Sequence, residues 1–370
     1  MAASLQMTRR IRRTPYTRRV EQAGVKDFTV VNHMLLPKSF QHTPEEDYWH
    51  LRNHVQLWDV STQRQVQLEG PDAIRLAQWM TPRDLRPLKT GQCMYAPLVD
   101  ENGGMVNDPV ILRLADEKLW MSIADSDVLL WGKGLAAGSN FDVKVTEPDV
   151  SPLAVQGPQA GAVLSKVFGP SVTEIGFFRF KWFEFEGTNQ LVARSGYSKQ
   201  GGFEIYLNGS HLGERLWDAI WNAGEPYKIR AGCPNLAERI EAGLLSYGNE
   251  FTLENNPLEC GLAQYCSLDN DIDSLAADAL RTITEEGVER LMRGVLFDPP
   301  SDTHIAQPWP VLAGERQVGQ VTSGTRSPRL ERHVGLSMID RGFWRAGQKV
   351  RVLDPNGCMH HGEISELPFK

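Results

Sequence analysis

Two short stretches of this chain repeat one another, and that repeat constrains the fold more than any other feature. Val66-Gln67-Leu68-Glu69-Gly70-Pro71-Asp72-Ala73 leads into a helical pattern running to Met80. Leu153-Ala154-Val155-Gln156-Gly157-Pro158-Gln159-Ala160 leads into another, running to Phe168. In each copy an apolar strand reaches Gly-Pro, and the proline, with its fixed φ, starts a helix. Two strand–Gly-Pro–helix units predict two similar α+β lobes. At 370 residues the chain exceeds what one hydrophobic core usually organises, so two or three domains are expected.

Between the copies lies QCMYAPLVDENGGMVNDPVILRL, residues 92–114, which reads as a β-hairpin. Residues 94–99 form one arm and 110–114 the other. Asp100-Glu101-Asn102-Gly103-Gly104 is the turn, because Asn-Gly tolerates positive φ at little cost. Asn107, Asp108 and Pro109 fall between turn and returning arm. Asp108 is thus a carboxylate held ahead of an apolar strand by a proline, and a candidate catalytic acid. The ordinary alternative is an Asx residue that bonds its own backbone.

A second glycine-rich turn lies within residues 192–207. In its outgoing strand Phe203, Ile205 and Leu207 take one face, while Glu204 and Tyr206 take the other and face solvent or a cavity. Residues 43–55 carry a helix start: Thr43 caps, Pro44 opens, and Glu45, Glu46 and Asp47 suit the dipole. Residues 212–222 make an amphipathic helix. Asn235 caps a helix over 236–245 that carries Arg239, and Tyr247-Gly248-Asn249-Glu250 follows as a second polar and aromatic cluster. Residues 271–293 read as a charged helix or helix pair and a candidate linker. From Gly294 onward, short strands and turns predict a small antiparallel barrel. The expected division is 1–285 for two related lobes and 286–370 for the barrel.

Several function classes are disfavoured. The net charge of -7 does not attract polyanions, so no nucleic-acid partner is expected. No apolar run approaches the roughly 18 residues of a membrane helix, so no membrane role is expected. The five cysteines are scattered without a C-x-x-C pair, which suits reduced thiols in a cytoplasm and no zinc site. The histidines show no ligand spacing, and His360-His361 reads as an exposed strand end. The arginines at 9, 10, 12, 13, 18 and 19 read as an arm lying on the protein's own or a neighbour's surface. No phosphate loop, dinucleotide fingerprint or nucleophile elbow occurs.

The motifs resemble a family across nearly the whole chain. GGMVNDPVIL, SGYSKQGGFEIYL, ERIEAGLLSYG and QVTSGTRSP are similar, in order, to the conserved stretches of the aminomethyltransferases, the folate-binding T-proteins of glycine cleavage. VNHMLLP, HVQLWDV, SIADSD and AGCPNLAERIEAGLLSYGNEF look closer still to one branch, the dimethylsulfoniopropionate demethylases. The resemblance implies a three-lobed α+β fold around a central channel, with tetrahydrofolate in the channel and a C-terminal small β-barrel. It implies transfer of a methyl group from a sulfonium to N5 of tetrahydrofolate, giving 5-methyltetrahydrofolate and methylmercaptopropionate. Two departures from the T-protein pattern, Asn107-Asp108 for paired aspartates and Lys199-Gln200-Gly201 for its Gly-Glu-Asp turn, argue against the glycine-cleavage reaction. A third departs from the sulfonium branch, which usually has Trp at the place of Tyr197.

By the same resemblance, Tyr95, Ser122, Glu204, Tyr206 and Arg239 would contact folate. Asp108 would lie beside N5. Tyr197 would hold the sulfonium by its ring face, and His33, Met34 and Lys199 are the candidates for the rest of the substrate site. A sulfonium is already activated, so neither a metal nor a redox cofactor is expected. The expected partners are the small sulfonium substrate and tetrahydrofolate, with a homodimer left open. The alternatives are a related transferase acting on an amine or methyl ether, and a non-catalytic folate-binding regulator.

Overall fold

The computed structural model describes residues 7–269, 271–299, 305 and 307–370. Its first lobe is a five-stranded antiparallel sheet in the order Lys144–Thr146, Gln65–Glu69, Lys118–Ser122, Val110–Ala115, Cys93–Tyr95. The second is a six-stranded sheet in the order Phe180–Phe185, Thr188–Ala193, Gly202–Asn208, Val150–Gln156, Gln56–Asp59, Arg230–Gly232. Only the last pair of that sheet is parallel.

Each sheet holds one copy of the sequence repeat. The strand Gln65–Glu69 leads to the helix Ala73–Trp79, and Val150–Gln156 leads to Ala160–Phe168. The prolines do not start the helices, however. Pro71 and Pro158 occupy a turn, and Asp72 and Gln159 precede the first helical residues. The glycines before them fix that turn. Gly70 and Gly157 have φ of +141° and +113°, and a Cβ on Gly157 would stand 2.5 Å from the His54 carbonyl oxygen. No larger residue fits such a position.

The helices cover the outer faces, and the inner faces of the two sheets pack on each other. Leu112 and Trp120 of the first lobe meet Val150, Phe180, Leu191 and Tyr206 of the second. The Trp120 ring lies 6.3 Å from Tyr206 and 6.2 Å from Trp182. The alternation in Gly202–Asn208 is as expected, but its second face does not look into solvent. Glu204 and Tyr206 are buried against the first lobe, while Phe203, Ile205 and Leu207 enter the second lobe's own core. Packing on both faces buries every residue from Phe203 to Leu207, Glu204 included.

The hairpin forms, but each arm is broken midway. Cys93–Tyr95 pairs with Val110–Ala115, and Leu98–Val99 pairs with Met105–Asn107. Pro97 and Pro109 lack the N–H groups a continuous ladder needs. Across the break the Ala96 N–H still donates to the Pro109 carbonyl at 3.0 Å. At the turn the Asp100 carboxylate accepts from the N–H groups of Asn102 and Gly104 at 2.9 and 2.7 Å.

The C-terminal region is a closed barrel in the order Arg290–Phe297, Arg332–Asp340, Arg316–Ser327, Trp309–Ala313, Lys349–Leu353, Met359–Ser365. Val295, Phe297, Val311 and Val321 fill its interior. Met292, Leu336 and Met338 turn outward onto Val99 and Met105 of the hairpin and Ile240 and Phe251. Three expectations change here. Residues 271–293 hold one helix, Ala277–Glu286, and the first barrel strand already begins at Arg290. The helix after Asn235 stops at Glu241, because Gly243 takes a φ of +67°. His360 is buried, with Nε2 3.0 Å from Asp354 Oδ2, rather than at an exposed strand end.

The N-terminal arm lies on the protein's own surface. Tyr16 is fully buried, its ring 6.3 Å from Trp217, and its hydroxyl donates to the Ser151 carbonyl at 3.1 Å. Arg19 makes a two-point contact with Asp218 at 2.7 and 2.6 Å.

Candidate active site

The break in the hairpin aims Asp108 inward. Tyr95, at the end of the opposing arm, donates its hydroxyl to Asp108 Oδ2 at 3.1 Å. Asn107, the neighbour on the turn side, is fully buried. Its side-chain oxygen accepts from the Asp108 and Ala124 N–H groups at 2.9 and 3.0 Å, and its amide donates to Ser126 Oγ at 2.7 Å. That pinning leaves Asp108 little freedom. Burial pushes the Asp108 carboxyl up to about 7, the nearby Glu250 charge adds to the rise, and the Tyr95 hydrogen bond opposes it. A carboxyl that titrates near neutrality can exchange a proton at working pH.

Aromatic rings surround this acid. Tyr265 packs edge-on against Tyr95 with centroids 4.9 Å apart. The Arg83 guanidinium sits 4.9 Å from the Tyr265 ring centre and donates to the Tyr95 carbonyl. Tyr197 projects from the glycine-rich turn. Its hydroxyl donates to the Leu245 carbonyl, and it is within electrostatic reach of Asp108 and Tyr95. The two carbonyl contacts at Leu244 and Leu245 tether the ring at its far end.

A second group of polar residues continues from the first along one row of the sheet. Tyr95, Val110, Ser122 and Gln65 are direct cross-strand neighbours, so their side chains share a face. Gln65 Nε2 donates to Ser122 Oγ at 3.0 Å, while Gln65 Oε1 is buried without a donor. The Tyr206 hydroxyl lies beside Ser122 and Ser195. Glu204 accepts from the Ser195 hydroxyl, and burial raises its carboxyl. Tyr95, Ser122, Glu204 and Tyr206 therefore lie on the inner sheet faces, with Asp108 bonded to Tyr95 and Tyr197 within electrostatic reach of both.

Arg239 is also present there, but it is engaged. Nη1 donates to Glu250 Oε2 at 2.9 Å and to the Leu244 carbonyl at 3.1 Å, and Nη2 donates to Ser323 Oγ of the barrel at 2.9 Å. Met34 is buried at the start of the strand Met34–Ser39. His33 and Lys199 are exposed, each at positive φ in a turn, and no contact joins either to Asp108. Sequence reasoning missed Glu250, Tyr265, Arg83 and Gln65. Glu250 stood within a cluster already singled out, but nothing local said that it would face Asp108. Among the described residues, no group of three or more His, Cys, Asp or Glu side chains could hold a metal ion. No described helix is long and apolar enough to cross a membrane.

Against known families, residues 16–270 match the GCVT N-terminal domain, and residues 290–370 match the glycine cleavage T-protein C-terminal barrel domain. The chain is 49% identical over 358 residues, 96% of each chain, to dimethylsulfoniopropionate demethylase DmdA of Ruegeria pomeroyi. It is 32% identical to the aminomethyltransferase of Bacillus cytotoxicus, over 86% of this chain and 87% of that one. The structure of glycine cleavage system aminomethyltransferase T from Bartonella henselae shares the fold, with a TM-score of 0.86, 24% identity and coverage of 97% and 98%.

Proposed function

Since the chain belongs to the glycine cleavage T-protein family, we propose that it is the sulfonium-specific kind of member: a methyltransferase that demethylates dimethylsulfoniopropionate and hands the methyl group to tetrahydrofolate. The observation that carries this reading is the match to a demethylase of that substrate, 49% identical and end to end. The products are 5-methyltetrahydrofolate and methylmercaptopropionate.

The chemistry asks little of a catalyst beyond alignment and dryness. As the N5–carbon bond forms, the carbon–sulfur bond breaks, and its electron pair leaves on sulfur as a neutral thioether. N5 loses its proton in the exchange. Asp108 is our candidate for receiving it, because its carboxyl titrates near neutrality and Asn107 and Tyr95 hold it in place. Glu204, Ser122, Tyr206 and the donor-less Gln65 Oε1 would hold tetrahydrofolate, their acceptors suiting the N–H groups of its pterin ring. Tyr95 would line the same cleft, and Arg239 would border it through Tyr197. Tyr197, tethered at its hydroxyl, would offer its ring to the sulfonium, a contact worth about 2 kcal/mol when desolvated. Met34 remains a candidate wall of the substrate side. His33 and Lys199, exposed in their turns, remain the candidates for the substrate carboxylate.

The test is direct. Purified protein is given tetrahydrofolate and a panel of sulfonium, betaine and N-methyl donors, and 5-methyltetrahydrofolate and the demethylated product are measured. Turnover confined to dimethylsulfoniopropionate supports the reading. Turnover only with amine donors, or only with a lipoyl carrier, would overturn it in favour of the aminomethyl branch. Folate binding without transfer from any donor would indicate a regulator.

A further inference from the structure

Tyr95 donates to Asp108, and a closed cluster of three side chains holds Tyr95 in turn. The Tyr265 ring packs edge-on against the Tyr95 ring, with centroids 4.9 Å apart. The Arg83 guanidinium covers Tyr265 at 4.9 Å from its centre, and Arg83 Nη1 donates to the Tyr95 carbonyl. Each member thus touches the other two. Tyr265 ends a short turn of 3-10 helix, Ala263–Tyr265. That turn is fastened to the segment carrying Arg83. The Ser267 N–H donates to the Pro82 carbonyl at 2.9 Å, and Ser267 Oγ accepts from the Asp84 N–H at 3.1 Å. Arg83 is partly buried, yet it pairs with no carboxylate among the described residues. The adjacent acid, Asp84, is taken up by Arg86 through both oxygens at 2.8 Å. Burying a guanidinium without a counter-charge costs free energy, which the ring face and the carbonyl offset. The Tyr265 hydroxyl bonds to no described group, so its ring is what the cluster uses.

A hydroxyl that must stay on one carboxylate oxygen needs its ring fixed, because a change of rotamer carries the oxygen away. The hairpin alone does not fix it. The strand Cys93–Tyr95 ends at this residue, and pairing resumes only beyond Pro97. We infer that Tyr265 and Arg83 are positioning residues, which lock the Tyr95 ring and carbonyl so that the hydroxyl stays on Asp108. The inference rests on the methyl-transfer reading, with Asp108 receiving the proton. The other charged and titratable groups around Asp108 are Tyr197 on the glycine-rich turn, Arg239 behind Tyr197, Glu250 and Cys260. All four stay unchanged when Tyr265 or Arg83 is replaced.

The Tyr95 bond favours the ionised carboxylate, so loosening it makes Asp108 harder to deprotonate. The experiment compares the full chain as wild type, Tyr95→Phe, Tyr265→Leu, Tyr265→Phe, Arg83→Gln and the double variant Tyr95→Phe/Tyr265→Leu. The Asp108 carboxyl is titrated by carbon-13 NMR of aspartate-labelled protein, with Asp108→Asn assigning its signal. In parallel, kcat/KM for the sulfonium is measured from pH 5 to 9. Tyr95→Phe should raise the Asp108 midpoint, and the acid limb of the rate profile with it, by about one pH unit. Tyr265→Leu and Arg83→Gln should each raise it by roughly half a unit. Tyr265→Phe, which keeps the ring, should match wild type. In the Tyr95→Phe background Tyr265→Leu should add nothing, because the bond it secures is already gone. An unmoved midpoint in either Tyr265→Leu or Arg83→Gln overturns the inference, as does an equal further shift in the Tyr95→Phe background. A merely structural cluster would change thermal unfolding alone. Should Tyr265→Leu fail to fold, Arg83→Gln with and without Tyr95→Phe decides in its place. The NMR titration needs no turnover. Wild type that transfers no methyl group would therefore sink the underlying function, while the hold of Tyr265 and Arg83 on Asp108 is still read from the carboxyl itself.

Discussion

Asp108 combines two properties that few acids in this chain share: a carboxyl lifted to about 7 and a hydrogen-bond donor, Tyr95, that holds one of its oxygens. Its deprotonated form is the one able to take a proton from N5. Activity should therefore rise with pH through about 7 and level off above it, and a flat kcat/KM profile between pH 5.5 and 8.5 would remove Asp108 from proton transfer. Asp108→Asn keeps the shape and loses the basicity. It should cut 5-methyltetrahydrofolate formation roughly 10²–10⁴-fold while tetrahydrofolate affinity, followed by fluorescence titration, changes little. Equal loss of both would make the residue structural. For Tyr197→Ala, a lost cation–π contact of about 2 kcal/mol corresponds to roughly 30-fold weaker sulfonium binding. Folate binding should be spared, and unchanged sulfonium affinity would take Tyr197 out of the substrate site. Tyr197→Phe separates ring from tether, since it keeps the π face and drops the bond to the Leu245 carbonyl.

At the scale of elements, the Gly-Pro turns are the most demanding joints. Gly157 combines positive φ with a carbonyl oxygen 2.5 Å from where a Cβ would go, whereas Gly169, at φ +84°, has open space there. Gly157→Ala should cost about 3 kcal/mol or more and Gly169→Ala about 1 kcal/mol, read as urea midpoints at unchanged slope. Similar costs at both would show that φ alone matters. The contrast also indicates what a sequence can disclose. The hairpin, the repeat and the alternation of Glu204 with Phe203 follow from local rules of turn chemistry and period, and they were legible. The arms' break at Pro97 and Pro109 was only half legible: the prolines were visible, but the resumption of pairing beyond them was not. Pro71 and Pro158 were misplaced because a proline tolerated in a first helical turn is equally at home in the turn before it. Glu250, Tyr265 and Gln65 could not be assigned, because their roles depend on which distant strands and loops meet. The depth of His360 depends on barrel closure in the same way.

For the whole molecule, buried acids govern how stability follows pH. Burial raises the carboxyls of Asp59 and Asp108 to about 6 and about 7, and that of Glu238 to about 8. Glu238 is 2% exposed, and both its oxygens lack a partner. With folded values above unfolded ones, the native state holds more protons, so stability falls as pH rises through the interval between the two. For Glu238 that interval runs from its ordinary value of 4.5 to about 8. Glu238→Gln cannot ionise, so its melting temperature should gain on wild type between pH 5 and 8 and hold that lead above. A pH-independent difference would mean that Glu238 has a partner in solution. The N-terminal arm sets a different condition, one of time. Arg19 grips Asp218, which lies 199 residues further along. At about 5–20 residues per second, a ribosome delivers that seat on the order of 10–40 s after the arm has emerged. The first described segment to be made is thus among the last to be secured. Chains stalled near residue 200 should yield to trypsin at Arg18 and Arg19, whose partners Glu214 and Asp218 are not yet made, and completed chains should resist it there.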